Sequence, residues 1–196
     1  MEQFKKIKSI VTPLDKVNVD TDQIIPKQFL KLIQRTGFGQ YLFYDWRYEL
    51  DGSLKKDFAL NDQKFKNSKI LLTRDNFGCG SSREHAVWAL EDYGFKVIIS
   101  TSFADIFYNN CFKNGILPIR VSEQLLQKLF ENNSEVEIDL EEQIIRMNDN
   151  ITQFKIEPHW KKILLEGLDD IAITLKNEDK LVEYEKSQKN FKFAVV

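Results

Sequence analysis

Cysteine and histidine are scarce in this chain, which has only Cys79, Cys111, His85 and His159. An all-cysteine zinc or iron–sulfur site takes about four ligands, so two cysteines far apart in the sequence do not supply one. Two histidines do not complete a mixed site, and a cytosolic disulfide is disfavoured by its compartment. The expectation is that this chain alone holds no metal and no cofactor. Proline and glycine are also few, at 4 and 8, and no low-complexity tract or internal repeat is present. No apolar run approaches the roughly 20 residues that cross a bilayer. The opening Met1-Glu2-Gln3-Phe4-Lys5-Lys6 lacks the apolar core of a secretion signal, so the protein is expected to be soluble and cytoplasmic, with no membrane partner. The net charge is −2, without the basic excess that a nucleic-acid partner favours.

What remains is an ordinary globular composition, 42% hydrophobic and 30% charged over 196 residues. A chain this long can bury roughly 70% of the surface that its unfolded form exposes. Up to about residue 68 the pattern is irregular and polar-aromatic. Lys5 to Val11 alternates like a short strand, Asp15 to Asp22 is a carboxylate-rich loop, and Gln28 to Gln34 reads as a short helix before Gly37 and Gly39. From residue 69, strands and helices alternate. Strands are predicted at Lys69–Thr73, Lys96–Ser100 and Ile116–Val121, and helices at Ser82–Tyr93, Phe103–Lys113 and, capped by Ser122, Glu123–Glu131. This order favours parallel pairing with right-handed crossovers. Glu135 to Ile156 changes to the period-two alternation of antiparallel sheet. Helices are predicted again at Pro158–Glu166 and from Asn177 to about Lys189. The reading is one α/β domain over residues 1–196, with mixed parallel and antiparallel sheets and a C-terminal helical extension.

One stretch carries chemistry. Asn76-Phe77-Gly78-Cys79-Gly80-Ser81-Ser82-Arg83-Glu84-His85 joins a strand to a helix through a glycine turn. Such a turn presents backbone N–H groups and the positive end of a helix to a cleft. An arginine in the first helical turn opposes the dipole, and its presence makes better sense if an anion joins it. A second reading stands beside this one, because Ser81-x-x-Glu84 also spells a capping box that merely satisfies the helix start. Gly78-x-Gly80-x-x-Arg83 lacks the third glycine of a dinucleotide fingerprint, and the stretch is not the Gly-x-Ser-x-Gly of a hydrolase elbow. Cys79 near a helix start could be a low-pKa nucleophile, whereas the bland alternative for both cysteines is burial as small residues. His85 reads as a structural histidine. Asp15, Asp20 and Asp22 do not follow calcium-loop spacing, and they read as turn residues or as a partner for an arginine.

Taken with Ala86, that stretch resembles the signature of the aconitase superfamily's swivel domain. Asn18 to Pro26, Arg35 to Gly39 with Phe43 to Tyr48, Ser102 to Cys111, Gly167 to Leu175 and Tyr184-Glu185 extend the resemblance, in order, to the small subunits of bacterial 3-isopropylmalate dehydratases. One departure is Val87, where the family usually has proline. The resemblance implies a swivelling three-layer β/β/α domain. It implies a hydro-lyase that interconverts 2- and 3-isopropylmalate through isopropylmaleate, a step of leucine biosynthesis. The family's 4Fe–4S cluster sits on a separate large subunit, which is therefore the expected partner, and the expected substrate is a small dicarboxylate hydroxy acid. Residue by residue, the resemblance makes Ser81 the base and Arg83 the grip on a substrate carboxylate. Arg35, Thr36, Ser82 and Asp22 become further substrate-site residues, with Asp22 orienting an active-site arginine. The loop around Leu32 to Phe43 helps to select the substrate side chain in the family. Alternatives remain: a related dehydratase of the homoaconitase or methylmalate/citraconate type, or a regulatory module that only binds an anion.

Overall fold

The computed structural model describes residues 1–31, 36–81, 83–175 and 178–187. Two four-stranded sheets organise them. In the first, β2 (Val11–Leu14), β3 (Ile70–Thr73), β4 (Val97–Ser100) and β5 (Leu117–Arg120) lie side by side in chain order, all parallel. In the second, β1 (Ile7–Ser9), β6 (Val136–Asp139), β7 (Ile144–Met147) and β8 (Asn150–Gln153) pair antiparallel throughout. Pro13 and Pro118 fall on β2 and β5, the two edges of the parallel sheet, where a missing N–H leaves no central ladder broken.

Every residue of β3 and β4 is buried, as expected for parallel strands covered on both faces. Their side chains alternate between two cores. Leu71 and Ile98 join Ala86, Val87 and Leu90 of α3 (Glu84–Tyr93). Ile70, Leu72, Val97 and Ile99 join Val136, Ile138 and Ile145 of the antiparallel sheet. The parallel sheet is thus the middle of three layers, with α3 on one face and the second sheet on the other. This is the expected β/β/α arrangement. α4 (Asp105–Lys113) packs beside α3, and α5 (Glu123–Glu131) contacts β3. Two short helices, α1 (Thr21–Ile24) and α2 (Tyr44–Arg47), precede these, and α6 (Pro158–Glu166), α7 (Asp170–Leu175) and α8 (Glu178–Ser187) follow.

Several boundaries differ from the sequence reading. The single strand expected over Lys5–Val11 is two strands in different sheets, with the crossing at Ile10. Alternation cannot reveal this, because Ile7, Ser9 and Val11 are all buried, so the phase runs unbroken through the crossing. Hydroxyls hold the corner: Ser9 and Ser68 each donate to the Ile10 carbonyl at 2.8 Å, and Lys69 N–H donates to Ser9 Oγ at 3.0 Å. The helix expected at Gln28–Gln34 is a 3-10 turn over Lys27–Lys31, with residues 32–34 outside the described ones. The final helix spans Glu178–Ser187, and residues 177, 188 and 189 of its predicted span lie outside the described ones. The irregular N-terminal region is also more than a polar cover. Val19, Ile24, Phe38, Leu42 and Phe43 are fully buried and complete the core against α3.

Candidate active site

Because β2, β3 and β4 are parallel, the chain leaves all three at the same edge of the sheet. Ligands of open α/β sheets collect at that carboxyl edge. The segment after β2 delivers Thr21 and Asp22, the one after β3 delivers Gly78, Gly80 and Arg83, and the one after β4 delivers Ala104 to Phe107. Backbone bonds fasten them together. Gly78 and Cys79 N–H both donate to the Val19 carbonyl, at 2.8 and 3.2 Å, and Thr21 N–H donates to the Cys79 carbonyl at 3.0 Å. Phe77 N–H donates to Ser102 and Ala104 N–H to Phe77. Between the segments lies a cleft of about 260 Å³ lined by Thr21, Gly78, Gly80, Arg83 and residues 104–107. Gly78 makes this closeness possible: its φ is +77°, and a Cβ there would lie 2.1 Å from the Phe107 ring.

The helix after the glycine turn begins at Glu84, later than expected from Ser82. Its N-cap is Arg83, in an extended conformation with no side-chain cap. The capping-box alternative for Ser81 is therefore overturned. The Thr21 hydroxyl takes up the Ser81 carbonyl at 2.7 Å, which holds the turn away from the helix. Glu84, the other half of the supposed box, instead accepts from Asn114 Nδ2 at 2.9 Å. α4 likewise starts without a side-chain cap, at Ala104, so two bare helix starts face the cleft.

Arg83 is largely buried, and one of its guanidinium nitrogens meets Asp22 Oδ1 in an ion pair from which solvent is excluded at both atoms. The other Asp22 oxygen lies 3.0 Å from Lys27 Nζ. Two cations share one carboxylate, so the trio keeps a net positive charge beside the cleft. Ser81 is exposed and sits next to the lining residue Gly80 without itself lining the cleft. Thr36 is not brought here: it lines a separate cleft of about 450 Å³ with Trp88 and Lys96. Arg35 and Ser82 lie outside the described residues. Thr21, which anchors the turn, was not singled out from the sequence. Its only signal was its place between Asp20 and Asp22.

The other candidates have structural partners. Burial, and then the nearby Asp20 charge, raises the Cys79 thiol, and burial raises Cys111 well above its ordinary value. Both remain protonated thiols near neutral pH, so the low-pKa nucleophile reading fails. His85 packs edge-on to Phe38 and beside Trp88, with ring centres 5.4 and 4.6 Å away. Asp20 caps α1, and Asp15 pairs with Arg74. The Asp92 carboxylate accepts from Gly37 and Gly39 N–H at 3.0 and 2.7 Å and so pins the end of the preceding loop to α3. Among the described residues, no three His, Cys, Asp or Glu side chains group as a metal site, and no helix is long and apolar enough to cross a membrane.

Comparison with known proteins supplies the lineage. The family model described as the aconitase C-terminal domain matches residues 1–124, which contain all three cleft segments. A 3-isopropylmalate dehydratase small subunit of Brevibacillus brevis is 56% identical over 191 residues, covering 94% of this chain and 98% of that protein. The chain belongs to the family of 3-isopropylmalate dehydratase small subunits. A second member, from Bacillus subtilis, is 48% identical over 196 residues, covering 97% of this chain and 98% of that protein. The crystal structure of the 3-isopropylmalate dehydratase of Methanocaldococcus jannaschii is similar at a TM-score of 0.68 and 26% identity, covering 93% of this chain and all of that one. Family membership therefore extends past the matched 124 residues, to the antiparallel sheet and α6.

Proposed function

We propose that this chain is the small subunit of a hydro-lyase that isomerises 2-isopropylmalate and 3-isopropylmalate through isopropylmaleate, and that it acts only with a large subunit. One observation carries the reading: Arg83 is held at the cleft by Asp22, beside a Ser81 whose hydroxyl is not used to cap the helix. In the dehydration direction Ser81 Oγ takes the proton from the carbon next to a carboxylate, and in the hydration direction it returns that proton. A serine hydroxyl needs help to act as a base, and the net positive trio and the bare helix starts favour its ionised form. Arg83 offers its planar fork to the substrate carboxylate, with Asp22 fixing one edge. Arg35 and Ser82 add further donors to the substrate, and Thr36 joins them only if its loop moves away from the other cleft.

The 4Fe–4S cluster does not fit this chain, because Cys111 is wholly buried and no three His, Cys, Asp or Glu side chains group together among the described residues. We assign the cluster to the large subunit, where it supplies the Lewis acid for the departing hydroxyl. Replacing Ser81 with Ala in the reconstituted pair should lower turnover about a thousandfold, within the range that a lost general base costs. Turnover near the parental rate, with the pair intact on gel filtration, would remove Ser81 as the base.

A further inference from the structure

The cleft is built for more than charge. Its lining is mostly glycine, threonine, aspartate and arginine, yet the first turn of α4 adds Ile106, which is 56% exposed. Among the described lining residues it is the one large aliphatic side chain left open to solvent. Phe107 beside it is 3% exposed and packs edge-on against Phe77, while Ala104 is small. Single exposed aliphatics are common on protein surfaces and mean little alone. The position of Ile106 gives this one meaning, because it shares a cleft with the arginine proposed to hold a carboxylate.

We infer that Ile106 is a specificity-determining residue that forms the apolar wall for the alkyl branch of the substrate. The inference rests on the proposed function. A branched hydroxy diacid brings two carboxylates, a hydroxyl and one apolar group, and that last group needs a dry surface within reach of the first. α4 supplies the surface because it starts at the cleft and turns Ile106 outward while Phe107 anchors the helix beneath Gly78. Thr36, from the loop around Leu32 to Phe43, lines the other cleft.

The test compares hydration of isopropylmaleate and citraconate, two cis-diacids that differ only in an isopropyl or methyl branch, by the reconstituted pair. In each of two variants, Ile106→Ser and Ile106→Phe, the ratio of kcat/KM values for the two acids should shift about tenfold against isopropylmaleate, the lower end of what a branch methyl is worth in a pocket. Ile106→Ser withdraws the contact and Ile106→Phe crowds it, and because the residue is exposed both variants keep the core intact. A ratio within twofold of the parent in both variants overturns the inference. Weaker pairing with the large subunit alongside an unchanged ratio would do the same and assign Ile106 to the interface. A parent pair that hydrates neither acid overturns the proposed function itself, and this inference with it.

Discussion

Arg47 and Arg83 are both mostly buried, and they are used differently. Arg47, in α2, donates through Nε to Asn61 Oδ1 at 3.2 Å and through Nη1 to the carbonyls of Gly39 and Leu42 at 3.4 Å. Its guanidinium also lies 5.0 Å from the Tyr93 ring and 5.2 Å from the Tyr48 ring. Asn61 returns the bond by donating to the Arg47 carbonyl at 2.7 Å. The partners of Arg47 come from α2, the Gly39 turn, the Asn61 turn and the end of α3, so it ties the irregular N-terminal region to a regular helix. Arg83 has one carboxylate partner among the described residues, Asp22, and lines a cleft. A buried cation whose donors are spent on backbone and amide groups stabilises the fold. One fixed along a single edge, beside open space, is poised for an anion.

The difference can be broken or sharpened by substitution. The largest effect is expected for Arg83→Lys in the reconstituted pair. Losing the two-pronged grip should cut kcat/KM about a hundredfold, with unfolding midpoint nearly unchanged. A melting temperature that falls while catalysis survives would make Arg83 a second structural arginine. Arg47→Met should do the reverse. Leaving Asn61 and two carbonyls without their donor costs about 2 kcal/mol of stability, read by urea unfolding, while kcat/KM per folded molecule stays within a fewfold of the parent. Asp22→Asn should raise KM about tenfold, the equivalent of roughly 1.4 kcal/mol, because Arg83 loses its aim. A fall in KM would show instead that Asp22 competes with the substrate.

The smallest effect belongs to an ion pair that does neither job. On the antiparallel sheet, Lys6 Nζ lies 2.8 Å from Asp139 and, followed by the Glu142 N–H, holds that carboxyl below its ordinary value of 3.8. A depressed folded value adds stability above the unfolded value near 3.8, and that stability is lost as pH falls through the lower folded value. Asp139→Asn should therefore lower the melting temperature slightly at neutral pH, and the gap from the parent should close in acid below pH 3.8. A gap that persists in acid would mean that packing, not charge, is lost.

Much of the site was legible because its residues are consecutive. Gly78 to Arg83 announce a turn into a helix, and an arginine at a helix start is a local anomaly visible in one dimension. The residues alone offered Asp15, Asp20 and Asp22 together as turn residues or an arginine's partner, and only the family resemblance picked out Asp22, since it lies some 60 residues from Arg83 and is joined to it by the parallel pairing of β2 and β3. The fate of Ser81 was equally hidden. The same four letters serve a capping box or an open turn, and the choice fell to Thr21, whose hydroxyl is free to reach Ser81 only after the two loops zip together. Ile106 carried no signal, because an isoleucine in a helix reads as core until the helix is docked.

By itself, the sequence determined the strand–helix alternation, the antiparallel segment after residue 135, the glycine turn and the shortage of metal ligands, each a property of neighbouring residues. Only the tertiary structure decided that the first strand splits between two sheets and that Arg83 meets Asp22 while Arg47 is tied into the core. It also decided that the Cys79 thiol is raised and that an exposed isoleucine faces the cleft. Those outcomes depend on burial and on contacts between distant segments, and such contacts exist only once packing has brought the segments together.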